Sequence, residues 1–171
     1  MRLLRLAFFS FLFLFILVTG ISLFIPSHVR ISRATNVGAP PSAIMPVLQD
    51  PARWKEWYPG LDSAALYYEN GVVKGVNMSP DGKVSLVVKE NKGTEVITEF
   101  RSSMRPVING WNVISHPGSD STTVQWYMDF HLRWYPWEKF TSILFDRWYG
   151  PKMEKGLENI RHLTDSSRLS Q

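Results

Sequence analysis

The sequence predicts an α+β domain in which a curved antiparallel sheet surrounds one long C-terminal helix, preceded by a single N-terminal transmembrane helix. Three observations carry this expectation. Residues 122–134 (TTVQWYMDFHLRW) alternate by parity, with Thr122, Val124, Trp126, Met128, Phe130, Leu132 and Trp134 on one side and Thr123, Gln125, Tyr127, Asp129, His131 and Arg133 on the other. Successive strand side chains point to opposite faces, so this is a long strand with one apolar face. Residues 137–163 carry Phe140, Leu144, Trp148, Met153, Leu157, Ile160 and Leu163 at spacings of three and four, the stripe of an amphipathic helix. Residues 6–25 (LAFFSFLFLFILVTGISLFI) contain no charge, and as a helix they span about 30 Å, the thickness of a bilayer's hydrocarbon core.

The elements follow in order. Residues 1–27 form the expected anchor. A cleaved signal peptide is the competing reading, because Arg2 and Arg5 resemble its basic start, but its apolar region runs about 7–15 residues and no small-x-small cleavage pattern follows. Arg30 and Arg33 behind the span nearly balance Arg2 and Arg5, so the side of the membrane stays open. VRISRATNV reads as a first strand. The tether of Pro26, Ser27 and His28 reaches only about 10 Å, which sets the domain, residues 28–165, against the membrane surface. SAIMPVLQD and PARWKEWY predict two short helices, the second capped by Asp50 with Pro51 in its first turn. Turn chemistry then recurs at ENG, SPDGK, NKG and HPGSD, dividing the next stretch into five or six strands. Val84, Leu86 and Val88 share a face, as do Val96, Phe100 and Met104, whereas residues 107–115 are apolar on both parities and predict burial on two sides or a bulge. Gly150 and Pro151 interrupt the terminal stripe and predict a kink or a break. Residues 166–171 have nothing to bury and read as a disordered tail.

Composition excludes several classes of function. The 171 residues include no cysteine, which removes disulfides, thiolate nucleophiles and cysteine-ligated zinc. Setting aside Arg2 and Arg5 leaves 17 basic against 15 acidic residues, too even a balance for a nucleic-acid partner. Neither a G-x-G-x-x-G nor a G-x-x-x-x-G-K-[ST] occurs, so no phosphate cradle and no cofactor is indicated. His131 and Asp129 lie two apart on the polar face of their strand, where a solvated surface outweighs a metal or acid–base pair. His28, His116 and His162 have no partner at motif spacing, and no metal set or catalytic residue emerges.

The element order, DPARWKEWYP at 50–59, TTVQW at 122–126 and GPKMEKGLENI at 150–160 resemble the START-like or SRPBCC superfamily over residues 30–163. These are the helix-grip proteins that include the polyketide cyclase/dehydrase and lipid-transport group. The uncharged span followed at once by a strand is similar to the membrane-anchored bacterial members. The resemblance implies a cavity between sheet and helix for an apolar or amphipathic small molecule.

On the inward parities Phe100, Met104, Trp111, Trp126, Met128, Phe130, Phe140, Leu144 and Trp148 are the expected ligand-binding residues, with core packing as the alternative for each. Asn109 or Ser102 would orient the ligand. Trp54, Trp57 and Tyr58 either cap the cavity mouth, dip into the interface or pack their helix onto the sheet. The reading that follows is a membrane-anchored domain, partnered by the bilayer, that binds a hydrophobic small molecule or lipid and is not an enzyme. The alternatives are a cyclase- or dehydratase-like enzyme in the same cavity, which needs an inward titratable group such as His131, Asp129 or Glu90, and a ligand-free membrane-surface module.

Overall fold

The structure, a computed structural model, describes residues 2–102, 105–118 and 121–169. Helix α1 (Arg2–Ser22) is long and apolar enough to cross a membrane, a test that a signal sequence also passes. Strand β1 (His28–Val37) follows, then α2 (Pro41–Gln49), a 3₁₀ helix (Pro51–Glu56), and strands β2 (Ala65–Glu69), β3 (Val72–Asn77), β4 (Ser85–Asn91), β5 (Glu95–Arg101), β6 (Val107–Ser115) and β7 (Thr122–His131). Helices α3 (Pro136–Ser142) and α4 (Phe145–Leu169) close the chain.

The seven strands form one antiparallel sheet in the order β1-β7-β6-β5-β4-β3-β2. This corrects the expected architecture. Among the described residues the sheet is open, with β1 and β2 as its two edges and no ladder joining them, and it neither closes nor curls around the terminal helix. Helix α4 lies chiefly along β1 and reaches β7, while α2 covers β6 and the 3₁₀ helix covers β3. The apolar face is therefore shared among three helical pieces. The reason is the aromatic load of the 3₁₀ helix and the residue that ends it: Trp54 and Trp57 are fully buried and need a sheet beneath them.

Two boundaries also differ from expectation. Strand β7 ends at His131, because Leu132 N–H turns to Ser27 O at 2.7 Å, and Trp134 leaves the inner face for the surface. The terminal helix breaks at Ile143 and Leu144, and α4 runs on through Gly150 and Pro151. Arg33 of β1 spans that weak point: its Nε donates to Glu154 Oε1 at 2.7 Å and its Nη2 to Asp146 Oδ2 at 3.0 Å, one carboxylate on each side. A Cβ on Gly150 would strike the Arg33 guanidinium, so the glycine makes room for the clasp.

The outer face of the sheet is less wet than alternation alone predicts. Tyr127 lies across Gly110 of β6, where any Cβ would meet its ring. Its hydroxyl donates to Glu95 Oε1 at 2.8 Å, and Arg30 stacks 4.5 Å above it. Arg30 also holds Asp129 in two bonds, 2.7 Å from Nε to Oδ1 and 2.6 Å from Nη2 to Oδ2, with His28 Nε2 at 3.2 Å. The hydrogen bond from Arg30 holds the Asp129 carboxyl below the ordinary carboxylate range, against the opposing effect of burial.

A carboxylate whose folded value lies below its unfolded value of about 3.9 contributes stability that is present above that pH. That contribution is lost as pH falls through the folded value. Asp129→Asn is thus expected to cost about 1 kcal/mol at neutral pH, because Arg30 is half exposed and screened by solvent. The deficit should shrink as pH falls through the folded value, below the ordinary carboxylate range, where the wild-type carboxyl is itself protonated. Thermal melts of both chains from pH 2.5 to 7 measure it, and parallel curves would contradict the assignment.

Candidate functional site

The inner face of β7 meets α4 around a cavity of about 90 Å³. Its walls are Tyr58, Met78, Phe100, Trp126, Met128, Tyr149, Lys152 and Met153. Each is placed by local chemistry. Strand parity turns Trp126 and Met128 inward, and Trp126 is then fixed by its indole N–H, which donates to Asn109 Oδ1. Asn109 is held in turn, donating from Nδ2 to Thr98 Oγ1 at 2.8 Å while Thr98 Oγ1 donates to Asn109 O at 3.0 Å. On α4, residues 149, 152, 153 and 156 follow the i, i+3, i+4, i+7 pattern of one helical face, and Gly156 lets that face approach Trp126.

Tyr58 comes from the turn after the 3₁₀ helix, where its N–H donates to Trp54 O at 2.7 Å. Its ring sits 4.9 Å from Trp126 and 6.3 Å from Trp111. Trp54, Trp57 and Trp111 extend this aromatic cluster into the core, with Trp111 at 5.3 Å from Trp54 and 5.2 Å from Trp57. The second helix therefore packs; it does not cap a mouth.

Three of the wall residues carry polar ends, while the surface the cavity presents is almost wholly apolar. Lys152 is half-buried, with Nζ 5.2 Å above the Tyr58 ring and near Gly60. Burial lowers the Lys152 ammonium from its usual range. Burial raises the hydroxyl of Tyr58, with a smaller push from Tyr149, and burial raises Tyr149 as well. Among the described residues, the Lys152 amine and the hydroxyls of Tyr58 and Tyr149 have neither a hydrogen bond nor an ion pair. Burial thus favours the neutral amine and the protonated hydroxyls, the chemistry of an acid and a base.

The nine expected ligand-binding residues divide. Phe100, Trp126 and Met128 line the cavity. Trp111 is fully buried behind it, and Phe130 packs at 4.6 Å from Phe145 and 5.1 Å from Tyr149. Phe140 on α3, Leu144 in the break and Trp148 on α4 are all exposed, Trp148 at 54 %; the break at Ile143 takes the first two off the line of α4, and Trp148 lies on that helix's outer side. Met104 lies outside the described residues. Asn109 is committed to Trp126, and Ser102 is half-buried. None of the three titratable residues weighed in the sequence enters the cavity: Asp129 pairs with Arg30 on the outer face, His131 stacks on His28 at 4.8 Å, and Glu90 is exposed beside Lys92 at 3.3 Å. Lys152 and Tyr149 were missed. The signal for them was present, since both share the helical face of Met153 and Gly156, but a lysine reads as a surface residue until something covers it.

Residues 28–163 match the protein family described as polyketide cyclase / dehydrase and lipid transport. No curated protein matches the chain. Among solved structures, the Zhui aromatase/cyclase from Streptomyces sp. R1128 superposes with a TM-score of 0.61 at 12% identity, covering 81% of this chain and 94% of that one. The di-domain ARO/CYC StfQ from the steffimycin biosynthetic pathway gives 0.60 at 10% identity, over 82% of this chain and 52% of that one. A START superfamily protein from Mycobacterium smegmatis gives 0.56 at 14% identity, over 80% and 97%. At such identities these structures establish the START-like fold. The expectation that the chain is not an enzyme is corrected: proteins described as an aromatase/cyclase and an ARO/CYC share its fold, and the matched family's description joins cyclase and dehydrase activities to lipid transport.

Proposed function

The chain belongs to the polyketide cyclase / dehydrase and lipid transport family, and from that premise we propose that it is a membrane-anchored enzyme of cyclase or dehydratase type acting on an apolar carbonyl compound. In this reading residues 1–27 anchor a catalytic domain of residues 28–165. The single observation that supports it is the unpaired Lys152 amine, beside the hydroxyls of Tyr58 and Tyr149, in a cavity otherwise lined by hydrocarbon, thioether and aromatic groups. Neutral Lys152 removes a proton from the carbon next to the carbonyl, and a tyrosine hydroxyl donates a hydrogen bond to the carbonyl oxygen as it gains charge. The enolate carbon then bonds to a second carbonyl carbon of the same molecule, whose oxygen takes the proton that Lys152 holds as its π bond opens, or the enolate expels a β-hydroxyl that leaves as water with that proton.

Cavity size favours chemistry over carriage. A space of about 90 Å³ equals roughly three water volumes, whereas sites that enclose a whole small molecule run to about 300–1,000 Å³. It accepts the reacting end of a substrate and cannot hide a lipid from water. Apolar walls would hold the adjoining carbon chain, in the role expected of Phe100, Trp126 and Met128.

Butanone fits this space as a probe, and its α-proton exchange in D₂O, followed by NMR, reads the base directly. The full chain in detergent is expected to accelerate exchange, with a rate that rises with pH and levels off below the ordinary lysine value of about 10.4. Lys152→Met should abolish the acceleration while keeping or slightly raising the melting temperature, since it removes a charge that burial disfavours. Tyr58→Phe should reduce it in part. An unchanged exchange rate in Lys152→Met would remove the proposal.

A further inference from the structure

Eight apolar or aromatic residues from position 134 to 148 are exposed or half-exposed, among them Trp137 at 61 % and Ile143 at 65 %. A soluble domain of this size rarely leaves so large an apolar patch open without a use. Its location identifies the occupant. Helix α3 packs against α1, and within α1 only Val18, Thr19 and Ser22 lose exposure, all at its last turn. Lys139, itself buried, ties the two together: Nζ donates to Ile25 O and to Ser27 Oγ, both at 2.7 Å. The patch is therefore continuous with the end of the apolar span and held beside it.

We infer that α3 and its flanking residues form an interfacial seat, in which Trp134, Tyr135, Trp137, Ile143 and Trp148 enter the headgroup region of the bilayer that α1 crosses. The inference rests on α1 as a membrane span. Tryptophan and tyrosine are the residues that favour this depth, with a ring in the apolar side and a polar tip in the headgroups. Tyr135 stacks on Trp137 at 4.8 Å and lies 5.0 Å from Trp134, a ready-made aromatic plate. Cations frame it, with Arg133 5.6 Å over Tyr135 and Arg147 exposed on α4. The nearby acids are occupied, Glu138 accepting from Arg133 N–H at 2.7 Å and Asp146 held by Arg33. Such a seat fixes the tilt of the domain, which a three-residue tether alone leaves free.

Because the chain has no cysteine, single cysteines can be placed at will. Phe13→Cys in the span, Ile143→Cys and Trp148→Cys in the patch, and Lys89→Cys on β4 are spin-labelled in the full chain, reconstituted into phosphatidylcholine–phosphatidylglycerol vesicles. Labels at 13, 143 and 148 are expected to relax more with oxygen, which concentrates in lipid, than with a water-soluble nickel chelate; the label at 89 should show the reverse. If 143 and 148 follow 89 while 13 remains in lipid, the domain stands off the bilayer and the seat is refuted. If they are shielded from both relaxants, protein covers the patch, a second copy or another chain, and the seat is equally refuted. A label at 13 that responds only to nickel removes the span itself, and the seat with it.

Discussion

Trp57→Ala is expected to cost about 3–5 kcal/mol, a large part of the roughly 5–15 kcal/mol that stabilises a domain. The ring is 1 % exposed and stands edge-on to Trp111 at 5.2 Å and to Trp126 at 5.8 Å, so its removal leaves a void that fixed aromatics cannot collapse to fill. A second loss accompanies the first. The indole N–H of Trp57 donates to Val47 O, as that of Trp54 does to Leu48 O, and these carbonyls belong to the last turn of α2, where no helical donor follows. The two tryptophans thus serve as the cap that Asp50, in extended conformation after α2, does not provide from its backbone. Trp57→Phe keeps most of the volume and loses the bond, for about 1 kcal/mol. Urea denaturation of the full chain in detergent compares them. A loss near 1 kcal/mol in both variants would mean that the ring contributes little as packing, and the account of the core would be wrong.

What the sequence disclosed and what it withheld divide along physical lines. Parity disclosed β7: Val124, Trp126, Met128 and Phe130 all face inward, because two-fold alternation is a property of the strand itself. Turn chemistry disclosed the hairpins, as at Asn70 and Gly71, both with positive φ between β2 and β3. Depth was not disclosed. Asp129 and Tyr127 lie on the polar parity yet are buried, since Arg30 from a strand a hundred residues away lies over them. Nor was the extent of the terminal helix: the same spacing that aligns Phe140 and Leu144 with Leu157 holds only if the helix is unbroken, and the break at Ile143 discards them.

The same distinction governs the candidate site. Trp126 could be read inward from its strand alone, but Lys152 required the position of Tyr58, which arrives from another part of the chain to cover it. A lysine in water is ordinary; the same lysine under an aromatic ring and without a carboxylate has an altered acidity. The proposed role of Lys152 therefore depends on a contact between α4 and the turn at 57–60 that no local pattern encodes. The enzyme reading failed at the sequence level because its titratable groups were sought on the strands, where His131, Asp129 and Glu90 stand.

Gly156→Ala probes that contact from the other side and is expected to weaken butanone exchange by about 5–150-fold. A methyl at this position would strike the Trp126 ring and sit 3.1 Å from Pro59 Cδ. Trp126 cannot retreat freely: its N–H is bound to Asn109, with Tyr58 at 4.9 Å, Trp57 at 5.8 Å and Trp111 at 5.9 Å around its ring. The remaining direction is the cavity. Either the ring moves into that space and fills it, or α4 lifts and draws Lys152 from Tyr58. Overpacking of this kind costs about 1–3 kcal/mol, which must be met again to reopen the site, hence the range of the rate loss. Alanine's helix propensity returns up to about 1 kcal/mol, so global stability falls less than activity does. That inequality separates the proposal from simple misfolding, which would lower both together. Wild-type exchange in Gly156→Ala would mean that α4 does not rest on Trp126, and that the acid–base set is not assembled where the cavity lies.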